Sequence, residues 1–267
     1  MVDELDISRV PDYLSITMRY YAEWLDVEPE VLDAPGVFVV PSRRREERQA
    51  GYSRAFQLYC YISGETTVIS YHRRFEDRKG DLVQLFAHDG DLEETKAALP
   101  ELLGVAPRRA CAHACTHAYR YRFVRLPEGL DTARARQLTR DDYADFLTFH
   151  TAQYPDAHQA SWLQAYFNEI ADNGYIYGLY VDGRLVSATD APDLPYMDDV
   201  VVEPGINTLP SYRRRGYART VVGALLKQWL KEGKVPLWSC SFANTGSQRL
   251  AESLGYAKLA DVITISQ

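Results

Sequence analysis

The sequence predicts a mixed α+β fold whose better-defined unit lies in the C-terminal half. Three observations carry this. Strand and helix signals follow the order β-α-α-β-β-β-α-β-α over residues 134–256. Two β-rich runs, residues 175–181 and 184–188, meet at Asp182-Gly183, a pair suited to the positive φ angles of a type I′ hairpin. A strand ending near Leu209 runs through a cationic glycine turn into an amphipathic helix.

Taken in chain order, residues 11–25 read as a helix with Leu14, Met18, Tyr21 and Leu25 on one face. Residues 36–40 form a short strand stopped by Pro41. The charged run SRRREERQAGYSR reads as a loop or a solvated helix end. Residues 58–62 and 66–71 make a hairpin around Ser63-Gly64-Glu65. A helix over 92–103 closes at Gly104, and 118–126 alternates as a strand. Pro127-Glu128-Gly129 is the best boundary, giving an N-terminal α/β domain over 1–127 and a second domain over 128–267. Beyond it come a strand over 135–138, a helix start at Thr139-Arg140-Asp141-Asp142, and a second helix over about 158–171. The strand over 200–209 carries a bulge or break at Pro204-Gly205.

The chemistry concentrates in VEPGINTLPSYRRRGYARTVVGALLKQWL, residues 202–230. Pro210 ends the strand, Arg213, Arg214, Arg215, Gly216, Tyr217 and Ala218 form the turn, and Val221, Val222, Ala224, Leu225, Trp229 and Leu230 recur at helical spacing. A helix N-terminus presents unpaired N–H groups and partial positive charge. Gly216 lets an anion approach the backbone, and the arginines add formal charge for phosphate oxygens. The spacing of a Walker lysine motif is absent. A bland reading competes, because arginines at a turn commonly make only a solvated face.

R-R-R-G-Y-A resembles motif A of the GCN5-related N-acetyltransferases (GNAT), the R/Q-x-x-G-x-G/A loop. Downstream, Asn244-Thr245-Gly246-Ser247 through Leu250 to Leu254-Gly255-Tyr256 resembles the family's N-x-x-S-x-x-L-x-x-x-L-G-F/Y signature. The wording INTLPSYRRRGYA…PLWSCSFAN…LAESLGY is most similar to a bacterial branch that includes the zwittermicin-resistance acetyltransferase. The resemblance covers about residues 134–267 and implies a GNAT fold there, with a degenerate second copy of that fold conceivable in the first half. It implies acetyl-CoA as cosubstrate and a small-molecule amine as acceptor. The backbone of Thr208 and Leu209 would meet the pantetheine amides, and the N–H groups of Arg213, Arg214, Arg215, Gly216, Tyr217 and Ala218 would hold the pyrophosphate with Thr220 near it. Asn244 and Ser247 would reach the cofactor from the other side, although both also suit helix capping.

The family's fourth strand often carries the base, which points to Glu203 beside the break, with Asp198 and Asp199 close by. Many members carry a tyrosine after the leucine of the second signature to protonate the thiolate. Here that position is Ala251, so water or another segment must supply the proton, and Tyr256 is a poor substitute. Cys240 reads as a packing residue rather than a nucleophile. His150 and His158 flank Tyr154-Pro155-Asp156, where acceptor contact or a solvated loop is expected.

Cys111, His113, Cys115 and His117 form C-x-H-x-C-x-H. On a strand their ends stand about 20 Å apart, and on a helix cysteines and histidines diverge, so no metal site is expected. A net charge of −7 argues against nucleic acid as the main partner. Neither a membrane-spanning run nor a signal-peptide core is read, and four cysteines suit reduced thiols in the cytoplasm. Two function classes remain: an acetyl-CoA-dependent N-acetyltransferase, and a non-catalytic protein that senses acyl-CoA.

Overall fold

The computed structural model describes residues 11–48, 55–87, 91–105, 115–155, 162–190 and 194–266. The fold is mixed α+β, as expected. In order, α1 (Tyr13–Leu25), β1 (Gly36–Pro41), β2 (Phe56–Ser63), β3 (Thr66–Tyr71), α2 (Lys79–Phe86), α3 (Leu92–Leu102) and β4 (Cys115–Phe123) precede the expected boundary. After it come β5 (Arg136–Gln137), α4 (Tyr143–Thr151), α5 (Leu163–Asp172), β6 (Tyr177–Val181), β7 (Arg184–Asp190), β8 (Val201–Val202), β9 (Gly205–Thr208), α6 (Tyr217–Lys231), β10 (Val235–Ser241), α7 (Thr245–Ser253) and β11 (Tyr256–Ser266). Among the described residues, no helix is long and apolar enough to cross a membrane.

Local chemistry explains the element ends. Asp12 caps α1 by accepting from the Ser15 N–H at 3.0 Å. Asp182 and Gly183 take φ +50° and +76°, the expected hairpin turn between β6 and β7. Thr139 and Asp142 form a reciprocal capping box ahead of α4.

Two sheets result. The larger has the order β1-β3-β2-β11-β4-β10-β8, and the smaller β5-β6-β7-β9. The larger sheet draws strands from both sides of Pro127-Glu128-Gly129, because β4 pairs with β10 and with β11, and β11 pairs with β2. Helix α1 packs Met18, Tyr21, Trp24 and Leu25 against one face, over Tyr59, Tyr61, Val235, Leu237 and Val262. On the opposite face α6 and α7 cover Tyr121, Phe123, Trp238 and Tyr256, and α2 and α3 cover Leu58, Cys60, Ile69 and Ile263. Trp229 of α6 is fully buried there, and a large apolar side chain so placed contributes about 1.5–3 kcal/mol.

The stripe expected on α1 is shifted. Leu14 is exposed, while Tyr20 and Trp24 join Met18, Tyr21 and Leu25 in the core. Among the described residues of the charged run after β1, Ser42 and Arg45 depart from expectation. Arg45 is fully buried, its guanidinium 4.4 Å from the Trp24 ring and 5.3 Å from that of Tyr59.

The strand expected over 200–209 is divided. β8 pairs with β10 in the large sheet, and β9 pairs with β7 in the small one. Glu203 and Pro204 lie at the crossing, so β9 and β10 diverge from there. Gly205 is required at this point. A Cβ on it would lie 1.5 Å from the Asp190 carboxylate, which packs against the backbone.

Candidate active site

The loop between β9 and α6 turns sharply into the helix N-terminus. Arg214 takes φ +60° and Gly216, the N-cap, φ +82°, so the chain turns sharply and presents its backbone outward. Thr220 donates its N–H to Gly216 O at 3.1 Å, and α6 has no side-chain cap. Among the described residues, the backbone N–H groups of Tyr217, Ala218 and Arg219 donate to no backbone carbonyl. A Cβ at Gly216 would meet nothing within 4 Å, so the space in front is open. Arg213, Arg214, Arg215 and Gly216 are exposed, and Tyr217, Ala218 and Thr220 are half-buried. Three arginines are partly committed. Arg213 donates Nε to Thr208 O at 3.0 Å, Arg215 lies 5.4 Å over the Tyr212 ring, and Arg219 donates to Ser253 O at 3.2 Å.

Thr208 and Leu209 differ in what they offer. Leu209 donates its N–H to Val186 O at 2.9 Å, and its own carbonyl accepts from Tyr212 N–H at 2.8 Å. Thr208 sits opposite Ser187, in the alternate class of antiparallel pair. Its backbone groups therefore point away from β7, toward the gap between β9 and β10. Its hydroxyl shares a 2.8 Å hydrogen bond with Ser187.

Asn244 and Ser247 start α7 as the capping reading expects. Asn244 Oδ1 accepts from Ser247 N–H at 3.1 Å, and Ser247 Oγ accepts from the Trp238 indole at 3.1 Å. Cys240 is half-buried beside Ser247, and burial raises its thiol pKa, which disfavours a resting thiolate.

Glu203 faces α1. Ser239 of β10 donates its hydroxyl to the Glu203 carboxylate. In register, Ser239 stands opposite Arg120 of β4. These three side chains line a narrow cleft with about 20 Å³ of enclosed space, together with Tyr20, Tyr21, Trp24, Tyr59 and Leu237. The aromatic residues and Leu237 are buried, while Arg120, Glu203 and Ser239 are half-buried, so the cleft has a polar mouth and an aromatic floor. Reading the sequence alone missed Tyr20, Trp24, Tyr59, Arg120 and Ser239 as site residues, because their positions converge only through sheet register. It also missed Asp190, whose carboxyl burial pushes up to about 6 beside Gly205.

The other candidates lie elsewhere. Asp198 and Asp199 are exposed, and their carbonyls accept from Lys234. His150 sits on α4 beside Phe146 and Tyr154, and burial holds its pKa down. His158, Asp156, Cys111 and His113 lie outside the described residues. Cys115 and His117 are on β4, and both His117 nitrogens meet carboxylates: Glu93 at 2.7 Å and Asp261 at 2.8 Å.

That clamp has a pH signature. Burial alone lowers the His117 pKa, but the hydrogen bonds to Asp261 and Glu93 outweigh it and raise the value. Lys96 and then His117 hold Glu93 below its ordinary value. For Asp261, burial is outweighed by His117 and Lys258. The histidine's contribution is complete below its unfolded value of about 6.5 and is lost as pH rises through the folded one. The carboxylates' contribution is present above about pH 4 and is lost on acidification. Melting curves should therefore show the wild-type advantage over His117→Gln greatest between about pH 4.5 and 6.5 and shrinking toward pH 9. An advantage that grows toward pH 9 would contradict the clamp.

Ala251 is fully buried beneath α7, with Leu254, Trp238 and Tyr256. Tyr256 packs 5.3 Å from Phe123 and 5.5 Å from Trp238 between ring centroids, and burial pushes its phenol well above the ordinary range. Ala251→Tyr should thus lower stability by roughly 1–3 kcal/mol through overpacking, read as a drop in Tm. Tyr256→Phe should leave kcat within about twofold, since a desolvated phenol is a reluctant acid.

The open N-terminus of α6 thus lies beside strands that diverge at the Glu203 carboxylate. A GNAT acetyltransferase family model matches residues 108–262, more than half of the chain, and the chain belongs to that family. No curated protein matches. Among solved structures, a GNAT acetyltransferase from Colwellia psychrerythraea is 18% identical at TM-score 0.49, over 57% of this chain and 56% of that one. A GNAT acetyltransferase from Novosphingobium aromaticivorans is 22% identical at TM-score 0.43, over 57% and 64%. A Salmonella typhimurium acetyltransferase with its cofactor acetyl-CoA is 17% identical at TM-score 0.39, over 50% and 91%. The matched region thus spans under two thirds of the first two of these proteins.

Proposed function

We propose that this chain is an N-acetyltransferase that moves the acetyl group of acetyl-CoA to the amine of a small molecule. The observation that carries the proposal is the open N-terminus of α6 behind Gly216. Backbone N–H groups there, with Arg213, Arg214 and Arg215, suit the pyrophosphate. Thr208 offers its backbone N–H to the pantetheine arm with Leu209 beside it, and Thr220, Asn244 and Ser247 complete the cofactor's surroundings.

In the reaction the amine lone pair attacks the thioester carbonyl carbon. The C–N bond forms, the C–S bond breaks, and sulfur leaves with the electron pair. Glu203 takes the amine proton and solvent water protonates the thiolate, whose parent thiol has a pKa near 8.5. The side chain of Glu203 stands at the divergence of the strands and is held by Ser239. On this reading residues 1–127 contribute the acceptor wall through α1, β2 and β4, and residues 128–267 contribute the cofactor cradle.

The wording around the glycine turn leads us to extend the proposal to the branch containing the zwittermicin-resistance acetyltransferase. Free Cys60, Cys115 and Cys240 suit a reducing compartment, so we assign the chain to the cytoplasm.

The test is calorimetric titration with CoA, followed by an assay of free CoA released from acetyl-CoA across a panel of amines. Tight binding with amine-dependent release supports the enzyme. Tight binding with no release across the panel would instead favour the sensing role.

A further inference from the structure

We infer that residues 36–95 carry a binding site of their own, in a hollow between the large sheet and helices α2 and α3. Its ligand is a small uncharged molecule with an apolar ring body and a hydroxyl group. The site shares no residue with the proposed cofactor cradle or with the cleft at Glu203, so it stands apart from the acetyltransferase reading.

The hollow holds about 340 Å³ and opens to solvent on one side. Protein interiors leave few voids larger than a water molecule, and pockets for small organic ligands begin at about 300 Å³. Sheet register makes the floor. Val37 of β1 stands opposite Thr67 of β3, and Thr67 opposite Ile62 of β2, so the three form one row. The next row along the same face is Val39, Ile69 and Cys60, of which Ile69 and Cys60 are fully buried. Phe86 at the end of α2, with Leu92 and Thr95 at the start of α3, makes the roof. With strands about 4.8 Å apart, the floor is roughly 10 Å wide, which suits a molecule of one or two rings.

The walls define the occupant. Val37, Ile62, Phe86 and Leu92 pack at the margin of the apolar cluster around Leu58, Ile69 and Leu82, yet each is only half-buried. A ring entering the hollow would take that apolar surface out of water. Thr67 and Thr95 are the polar exceptions, one on the floor and one on the roof. They are 9% and 7% exposed, and neither hydroxyl has a hydrogen-bond partner among the described residues. A helical threonine commonly returns its hydroxyl to the carbonyl four residues back, as Thr148 does to Ala144 O at 2.9 Å. Thr95 does not, and so keeps a donor and acceptor for a guest. Water alone fits poorly. Each buried water needs two to four polar partners, and two hydroxyls cannot supply them throughout a hollow of this volume.

Charge narrows the class further. Among the described residues no cationic side chain lines the hollow, and its one carboxylate is Glu65, exposed in the turn between β2 and β3. An anion finds no partner there, and an ammonium group would leave water for apolar walls. An uncharged alcohol or phenol meets both the rings and the hydroxyls.

The experiment is an NMR titration of the full chain with four probes of one size: benzyl alcohol, toluene, benzylamine and benzoate. Each is run with and without saturating CoA. Benzyl alcohol is expected to bind about tenfold or more tightly than benzylamine or benzoate. It should show Overhauser contacts to the Ile62, Thr67 and Leu92 methyl groups and be indifferent to CoA. The double variant Thr67→Val, Thr95→Val keeps the side-chain volume. It should weaken benzyl alcohol about fivefold or more while leaving toluene within about twofold. No binding by either neutral probe, equal binding of the ions, displacement by CoA, or contacts confined to other residues would overturn the inference. So would an alcohol affinity unchanged in the double variant. Should that variant fail to fold, the wild-type contacts and the charge series decide alone. A chain that binds benzyl alcohol in this way but takes up no CoA would uphold the site and remove the cradle instead.

Discussion

Gly216→Glu is expected to weaken CoA binding by roughly a hundredfold or more while leaving the fold intact. The cause is local. Gly216 caps α6 at φ +82°, in the left-handed region, and its missing Cβ faces open space. A glutamate there would strain the backbone by about 1–2 kcal/mol and place a carboxylate where phosphate oxygens should lie. Because the position is exposed, the melting temperature should fall only modestly. Gly216→Ala separates strain from charge and should cost far less affinity. Calorimetry showing full-strength CoA binding by Gly216→Glu would remove the cradle from this loop.

The second large effect is expected on kcat. Glu203→Gln should lower it about a hundredfold or more at unchanged CoA affinity, the usual span for a lost general base. Glutamine can still accept from Ser239, so the cleft should keep its shape. If kcat survives, the proton goes elsewhere, and Asp190 is the next group to replace. It lies across the strand break from Glu203, pressed against Gly205, with burial pushing its carboxyl up to about 6. Asp190→Asn would then carry the loss.

These two residues mark what could be read from the chain beforehand. The turn and helix proposed as the cradle were legible because they are local: a strand stop at Pro210, a glycine turn and a helical repeat occupy one short run. The break at Pro204-Gly205 was legible for the same reason, although its effect, passing the strand from one sheet to another, was not. The cleft beside Glu203 was hidden because its parts are far apart in sequence. Tyr21 could be seen as part of a helical stripe, but not its meeting with Arg120 and Glu203. Arg45 looked like one of several solvated charges, since nothing in SRRREERQ distinguishes the arginine that ends under Trp24. β11 was missed altogether. Its alternation is short of turn signals, and its place between β2 and β4 depends on pairing over very long separations.

The position of β11 also bears on biosynthesis. Ser63 of β2 donates to Leu259 O across 196 residues of chain. Until residues 256–266 have been synthesised, β2 and β4 each present an unpaired edge to whatever is nearby. At about 5–20 residues per second, translation from the end of β4 to the end of β11 holds that state open for roughly 7–30 s. The nascent protein thus carries an adhesive, half-built sheet for longer than most local folding steps take, and chaperone occupancy should be highest over this interval. Fusing a rapidly folding domain after residue 267 would not shorten the wait, but slowing codons placed between β4 and β11 would lengthen it and lower the yield of native protein.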